Sequence, residues 1–253
     1  MPTKPHIVLV PGAWHTANAY HKIEPLLESA RYKVTTLTLP CVGDSPPAKA
    51  FDQDVALINQ TAREIMASGD DVILVLHSYA GIPGTEATKE LAKQFQDAFE
   101  AGVVHLVYIC AWMLREGESR NSAVGEAALK VNADRTRAVD GGVEFLKPFE
   151  VFYNDLPTEE AEFQASNLKL QSPDTFDAKL MYPAYMDIPA TYLLCEQDQA
   201  IPYERQKRLV ADARAAGAKL ETVTCSAGHS PFLSQPELVA NVIRRAAGEQ
   251  MPL

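Results

Sequence analysis

Three residues of this chain, Ser78, Asp198 and His229, have the types and the order for nucleophilic chemistry. A serine hydroxyl is a poor nucleophile near neutral pH. It needs a base within hydrogen-bond reach, and a third group must orient that base. Ser78 follows the apolar run 72–76 and precedes Tyr79-Ala80-Gly81. A buried strand that turns sharply into a helix would expose the hydroxyl at the strand's C-terminal end, with the first helical amides aimed at the same spot. The G-x-S-x-G form of such an elbow is met imperfectly, because Leu76 stands where a glycine is expected and Gly81 comes one place late. Taken alone, the window also suits an ordinary serine at a strand-to-helix turn.

The base and the acid are sought after later strands, in the order serine, acid, histidine. His229 lies in Gly228-His229-Ser230-Pro231, where Gly228 permits a tight turn and Pro231 prevents immediate helix entry. Of the other histidines, His6 precedes a strand, His21 falls in a helix and His105 inside a strand. His15 lies on the first loop, and His77, beside the serine, points to the other side of its strand. Two carboxylates compete for the third role. Asp198 sits on the loop proper before Ile201-Pro202, and Glu196 comes straight off the strand. We favour Asp198, which would fix the tautomer of His229 and stabilise the imidazolium. Charge developing on a carbonyl oxygen needs aimed donors. The backbone N–H of Tyr79 is one, and that of Ala13, in the loop after the first strand, is the natural second; a plain glycine turn at Gly12 is the competing explanation.

The elements that must position these residues alternate. Strands are expected over 7–10, 33–39, 71–76, 103–110, 191–195 and 220–224. Helices are expected over 19–29, 52–67, 79–100, 203–215 and 235–247. Such alternation implies an α/β fold: a parallel six-stranded sheet covered by helices on both faces, with ligands beyond the carboxyl ends of the strands. About eighty residues between Cys110 and Thr191 lack a convincing buried strand. A loop that long would need structure of its own, so 115–188 is expected to be an inserted, mainly helical cap on a core of 1–114 and 189–253. Stretches 119–131 and 157–170 look helical, and 143–153 could form a hairpin. The insert holds eight of the chain's twenty aromatic residues, either to build a small core or to roof a site from which water is excluded. Trp14, Tyr79, Trp112 and Met113 would form the floor of that pocket, with Phe149 and Phe152 in the roof.

The totals narrow the function. At 253 residues and 47% apolar, the chain can build one large domain with an insert. A formal charge of −10 argues against nucleic acid or an anionic membrane as partner. The four cysteines, Cys41, Cys110, Cys195 and Cys225, are scattered and read as buried free thiols, so no metal is expected. With no signal-like leader and no membrane-length apolar stretch, a cytoplasmic protein is expected, without cofactor, as a monomer or homodimer.

With these residues in hand, the chain resembles the α/β-hydrolase-fold esterases, in the branch of plant methylesterases and hydroxynitrile lyases. The motifs concerned are Val10-Pro11-Gly12-Ala13-Trp14-His15, Ser78-Tyr79, Glu196-Gln197-Asp198 with Ile201-Pro202, and the run from Gly228 through Leu233-Ser234-Gln235-Pro236. Mapped onto this sequence, the family's triad falls on Ser78, Asp198 and His229, and its oxyanion donors on Ala13 and Tyr79. The lyases of that branch carry a lysine just after the catalytic histidine and a hydroxyl residue in the first loop. Ser230 and Gly12 stand there instead, so the resemblance implies an esterase. The expected substrate is a small or medium, largely apolar carboxylic ester or lactone, cleaved through an acyl-enzyme. Acyl transfer or cyclisation by the same residues, or a small-molecule receptor with little turnover, are the alternatives.

Overall fold

A computed structural model describes residues 4–97, 100–131 and 133–253. Met1, Pro2 and Thr3, residues 98 and 99 of the helix expected over 79–100, and Asn132 of the insert lie outside them. The six expected strands form one parallel sheet, in the order β10-β9-β5-β4-β1-β2. In chain order the strands of the molecule are β1 (His6–Val10), β2 (Val34–Thr36), β3 (Val42–Gly43), β4 (Val72–His77), β5 (Val103–Ile109), β6 (Thr136–Val139), β7 (Gly142–Phe145), β8 (Leu170–Gln171), β9 (Ala190–Cys195) and β10 (Leu220–Cys225). Every residue of β4 and of β9 is buried, as a central parallel strand covered on both faces requires. The helices are α1 (Ile23–Ser29), α2 (Phe51–Ala67), α3 (Gly81–Ala87), α4 (Arg120–Val124), α5 (Glu126–Val131), α6 (Pro148–Val151), α7 (Thr158–Ser166), α8 (Tyr203–Ala215), α9 (Pro231–Ser234) and α10 (Pro236–Ala246). Among them α1 packs on α10, and α2 on α3. This is the α/β-hydrolase fold.

Two expectations need correction. The helix expected over 79–100 is far shorter: a 3-10 turn, Ser78–Ala80, leads into α3, which ends at Ala87. Pro83 and Gly84 lie inside it, and the Thr85 and Thr88 hydroxyls bond back to the carbonyls of Gly81 and Thr85. Such bonds offer the backbone an alternative to further helix. Glu90 then takes a left-handed φ of 62°, and Ala92 bridges to Val103 at the start of β5.

The hairpin expected over 143–153 lies earlier. It joins β6 to β7 through Asp140-Gly141, a favoured two-residue hairpin turn, and 148–151 is a helical turn instead. β7 pairs with β8, and β8 with β3. The insert is thus helical with a small antiparallel sheet, whose edge strand β3 comes from the segment before α2.

Candidate active site

Four loops meet at the C-terminal edge of the sheet, after β1, β4, β9 and β10. Ser78, after β4, is brought to His229, after β10: Oγ lies 3.0 Å from Nε2. His229 Nδ1 lies 2.9 Å from Asp198 Oδ2, on the loop after β9. The other Asp198 oxygen accepts from the amides of Ala200 and Ile201, at 2.7 and 2.9 Å. Gln206, fully buried on α8, donates to Asp198 Oδ2 at 3.1 Å and to the carbonyls of Cys195 and Ile201. Asp198 is therefore held from several sides, whereas Glu196 is exposed. The chain can pass a proton from Ser78 to a ring whose far nitrogen is fixed by a carboxylate.

The elbow at Ser78 has the strained backbone such a turn needs, with φ of 52°, a left-handed conformation uncommon for a residue with a Cβ. Its fit comes from glycines outside the usual pattern. A Cβ on Gly84 would lie 2.2 Å from Leu76 Cδ2, so α3 makes room for the leucine that replaces the first glycine. A Cβ on Gly81 would lie 2.3 Å from the Trp112 carbonyl, and the Trp112 amide in turn donates to the Ser78 carbonyl at 3.0 Å. Gly12 allows the first loop to approach the elbow, since a Cβ there would meet Ser78 Cβ at 2.8 Å. Among the described residues the amides of Ala13 and Tyr79 are left without a protein acceptor. Tyr79 is anchored from behind by its hydroxyl, which donates to buried Asp54 at 2.8 Å.

His77, expected to face away from the site, is the residue that ties it together. Its Nδ1 accepts from the Gly12 amide at 3.2 Å, so Nε2 carries the proton and donates to the His229 carbonyl at 2.9 Å. Burial first, then the neighbouring His229 and His15, hold its pKa well below the usual range, so the ring stays neutral. Cys110 Sγ donates to the same carbonyl at 3.3 Å. The nitrogens of His77 and His229 and the sulfur of Cys110 lie within 4.8 Å of one another, but each ring nitrogen already has a protein partner. His15 is also buried, with a pKa pushed down to about 4 by burial. It joins the Ala13 carbonyl to the Tyr153 hydroxyl of the insert.

A cavity of about 480 Å³ opens above Ser78, lined by Ala13, Trp14, Tyr79 and Trp112 from the core and by Phe145, Phe152 and Phe176 from the insert. Trp14 takes a left-handed φ of 62°. The insert clamps it through Trp14 Nε1 to the Val143 carbonyl and Gln171 Oε1 to the Trp14 amide, at 2.8 and 3.1 Å. Phe152 stacks on the His229 ring with centroids 5.5 Å apart. Two expected pocket residues do not reach the cavity. Met113 is buried and Phe149, on α6, is 44% exposed; neither is among the residues that line the cavity. Sequence reasoning missed Gln206, and it missed Arg120, Arg135, Arg205 and Arg208, which also line the cavity. Their spacing carries no motif; only the fold gathers them.

The insert also reaches the relay loops directly. Asp155 Oδ2 accepts from the Gly228 amide at 2.7 Å, and Asn154 Nδ2 donates to the Gln197 carbonyl at 3.0 Å. A Cβ on Gly228 would lie 2.5 Å from Asn154 Oδ1.

Known proteins share this architecture. Residues 7–242 match the model of the Alpha/beta hydrolase family. The chain is 34% identical to alpha/beta hydrolase nvfD of Aspergillus novofumigatus over 251 residues, covering 99% of each. It is 22% identical to methylesterase 1 of Arabidopsis thaliana, covering 96% of each. The crystal structure of a pyrethroid hydrolase from Sphingobium faniae superposes with a TM-score of 0.75 at 25% identity, over 97% of this chain and 98% of that one. A family match over nearly the whole chain makes the conclusion plain: the chain belongs to the alpha/beta hydrolase family.

Proposed function

We propose that the protein hydrolyses a carboxylic ester or lactone through an acyl-enzyme formed on Ser78. The observation that carries this is the continuous relay from Ser78 Oγ to His229 at 3.0 Å and from His229 to Asp198 at 2.9 Å, at the base of an aromatic-lined cavity. Ser78 Oγ attacks the carbonyl carbon while His229 Nε2 takes its proton. The Ala13 and Tyr79 amides receive the oxyanion, each worth roughly 3–4 kcal/mol of barrier. His229 returns the proton to the departing alkoxide, then activates a water that releases the acid and restores Ser78. Asp198 keeps the proton of the neutral ring on Nδ1, leaving Nε2 free to act. Residues 115–188 serve as the cap, with Phe145, Phe152 and Phe176 forming its apolar underside. Relatives named as a methylesterase and a pyrethroid hydrolase support ester cleavage over cyanohydrin chemistry, as does Ser230 where the lyases carry a lysine.

The test is a pre-steady-state burst of 4-nitrophenol from 4-nitrophenyl acetate. Ser78→Ala should abolish the burst and lower kcat by at least about a thousandfold. Equal turnover by both proteins would remove Ser78 from the mechanism.

A further inference from the structure

The cavity carries more positive charge than chemistry at Ser78 calls for. Arg120, Arg135, Arg205 and Arg208 line it against one carboxylate, Glu204, and Glu204 pairs with Lys207 at 2.6 Å. This runs opposite to the chain's net charge of −10. Two of the arginines hold backbone: Arg205 donates to the carbonyls of Ala123 and Val124 at the end of α4, and Arg135 to that of Gln199. The arginines engaged in ion pairs among the described residues are Arg115, Arg137 and Arg244, none of them in the cavity.

Arg120 stands apart. It is half-buried, and its guanidinium lies 4.8 Å from the Phe176 ring centroid. Phe176 in turn meets Tyr79 edge-on at 6.2 Å, which sets the charge one aromatic ring away from the elbow. Of five N–H donors, the one with a hydrogen-bond partner among the described residues is on Nη1, which donates to Asn121 Oδ1 at 2.8 Å. Asp177, the neighbouring acid, accepts from Asn121 Nδ2 instead. Burial lowers the Arg120 pKa, Asp177 raises it and Arg135 lowers it further. A half-buried guanidinium whose neighbouring acid is engaged by Asn121, and which has a second guanidinium nearby, is suited to hold a further anion. At the other end, Arg208 is exposed together with Ala133, Pro202 and Glu204, marking the cavity's mouth, where a cation attracts anionic ligands.

We propose that the substrate is an ester or lactone bearing a free carboxylate remote from the cleaved bond, held by Arg120 through the paired N–H···O geometry that guanidinium and carboxylate share. The carboxylate takes no part in bond-making, and the idea rests on the acyl-enzyme reading above.

Mono-4-nitrophenyl esters of linear dicarboxylic acids, from adipate to sebacate, compared with the same compounds capped as methyl esters, isolate the charge at matched length. At the best chain length kcat/KM for the acid should exceed that for its capped partner about tenfold or more, and Arg120→Gln should bring the ratio close to one. Capped esters turned over as fast as the acids throughout the series, in the unaltered protein, would overturn the proposal. A binding measurement separates this failure from failure of the hydrolytic reading. Both tryptophans of the chain, Trp14 and Trp112, line the cavity, so quenching of their fluorescence in Ser78→Ala can follow monomethyl and dimethyl sebacate without turnover. Binding of the monoacid about tenfold tighter, lost on adding Arg120→Gln, sustains the anion site even if no ester is hydrolysed. Equal binding of the two removes it.

Discussion

His77 is neutral and touches no reacting atom in the proposed chemistry, yet it fastens the loop that carries Ala13 to the backbone of His229. It acts as a positioning residue. Replacing it by Phe removes both bonds, and kcat should fall roughly ten- to a hundredfold with KM little changed. His77→Gln, whose amide can still donate to the His229 carbonyl, should recover part of the loss; steady-state kinetics of the two variants separates positioning from simple packing.

The Asp54 carboxyl, buried behind Tyr79, makes stability depend on pH. Burial pushes its carboxyl up from 3.8 to about 6, with the Cys41 and Tyr79 donors partly offsetting the rise. The folded protein therefore binds this proton more tightly than the unfolded chain. Its contribution is full below about pH 4 and is lost as pH rises through about 6. Relative to Asp54→Asn, the protein should lose on the order of 2–3 kcal/mol of stability across that window, read from urea denaturation at each pH. Chain order and loop position were enough to expect Ser78, Asp198 and His229 to converge. His77, Gln206 and the four arginines were illegible, because the fold alone brings them to their partners or to the cavity: His229 is 152 positions from His77, and Cys195 is 11 from Gln206.

Among the elements, the six strands of the parallel sheet were legible because short apolar, β-branched runs alternate with helix-length segments, whereas the short strands of the second sheet carry no such pattern. The helix after Ser78 was overextended because its apolar residues continue beyond Ala87, while the threonine hydroxyls and Glu90 that end it act through local geometry. The hairpin was misplaced because the expectation followed the alternation over 143–153, whereas the turn is set by Asp140-Gly141. The imperfect elbow motif has an explanation at this level too, since strand β4 and helix α3 divide the required space between Leu76 and Gly84. Gly84→Ala should destabilise the fold by about 1–3 kcal/mol through overpacking. Leu76→Ala on its own should open a void. The double variant should be more stable than the sum of the two losses implies, a coupling that denaturant titration of all four proteins measures.

For the molecule as a whole, the sheet presents four loops at one edge and the insert bears on all four, through Trp14, Phe176 against Tyr79, Gln197 and Gly228. Gly228→Ala would drive a methyl group into Asn154 and Asp155. It should lower kcat about tenfold or more by shifting His229, while far-UV circular dichroism stays unchanged. No helix among the described residues is long and apolar enough to cross a membrane. Tied to both the Gln197 and the Gly228 loops, residues 115–188 cannot tip away as one body without parting Asp155 from the loop that carries His229. Entry beside exposed Arg208 is therefore expected, and slender esters that can enter end-on should be turned over faster than bulky ones of equal volume, which a substrate panel of graded width would show.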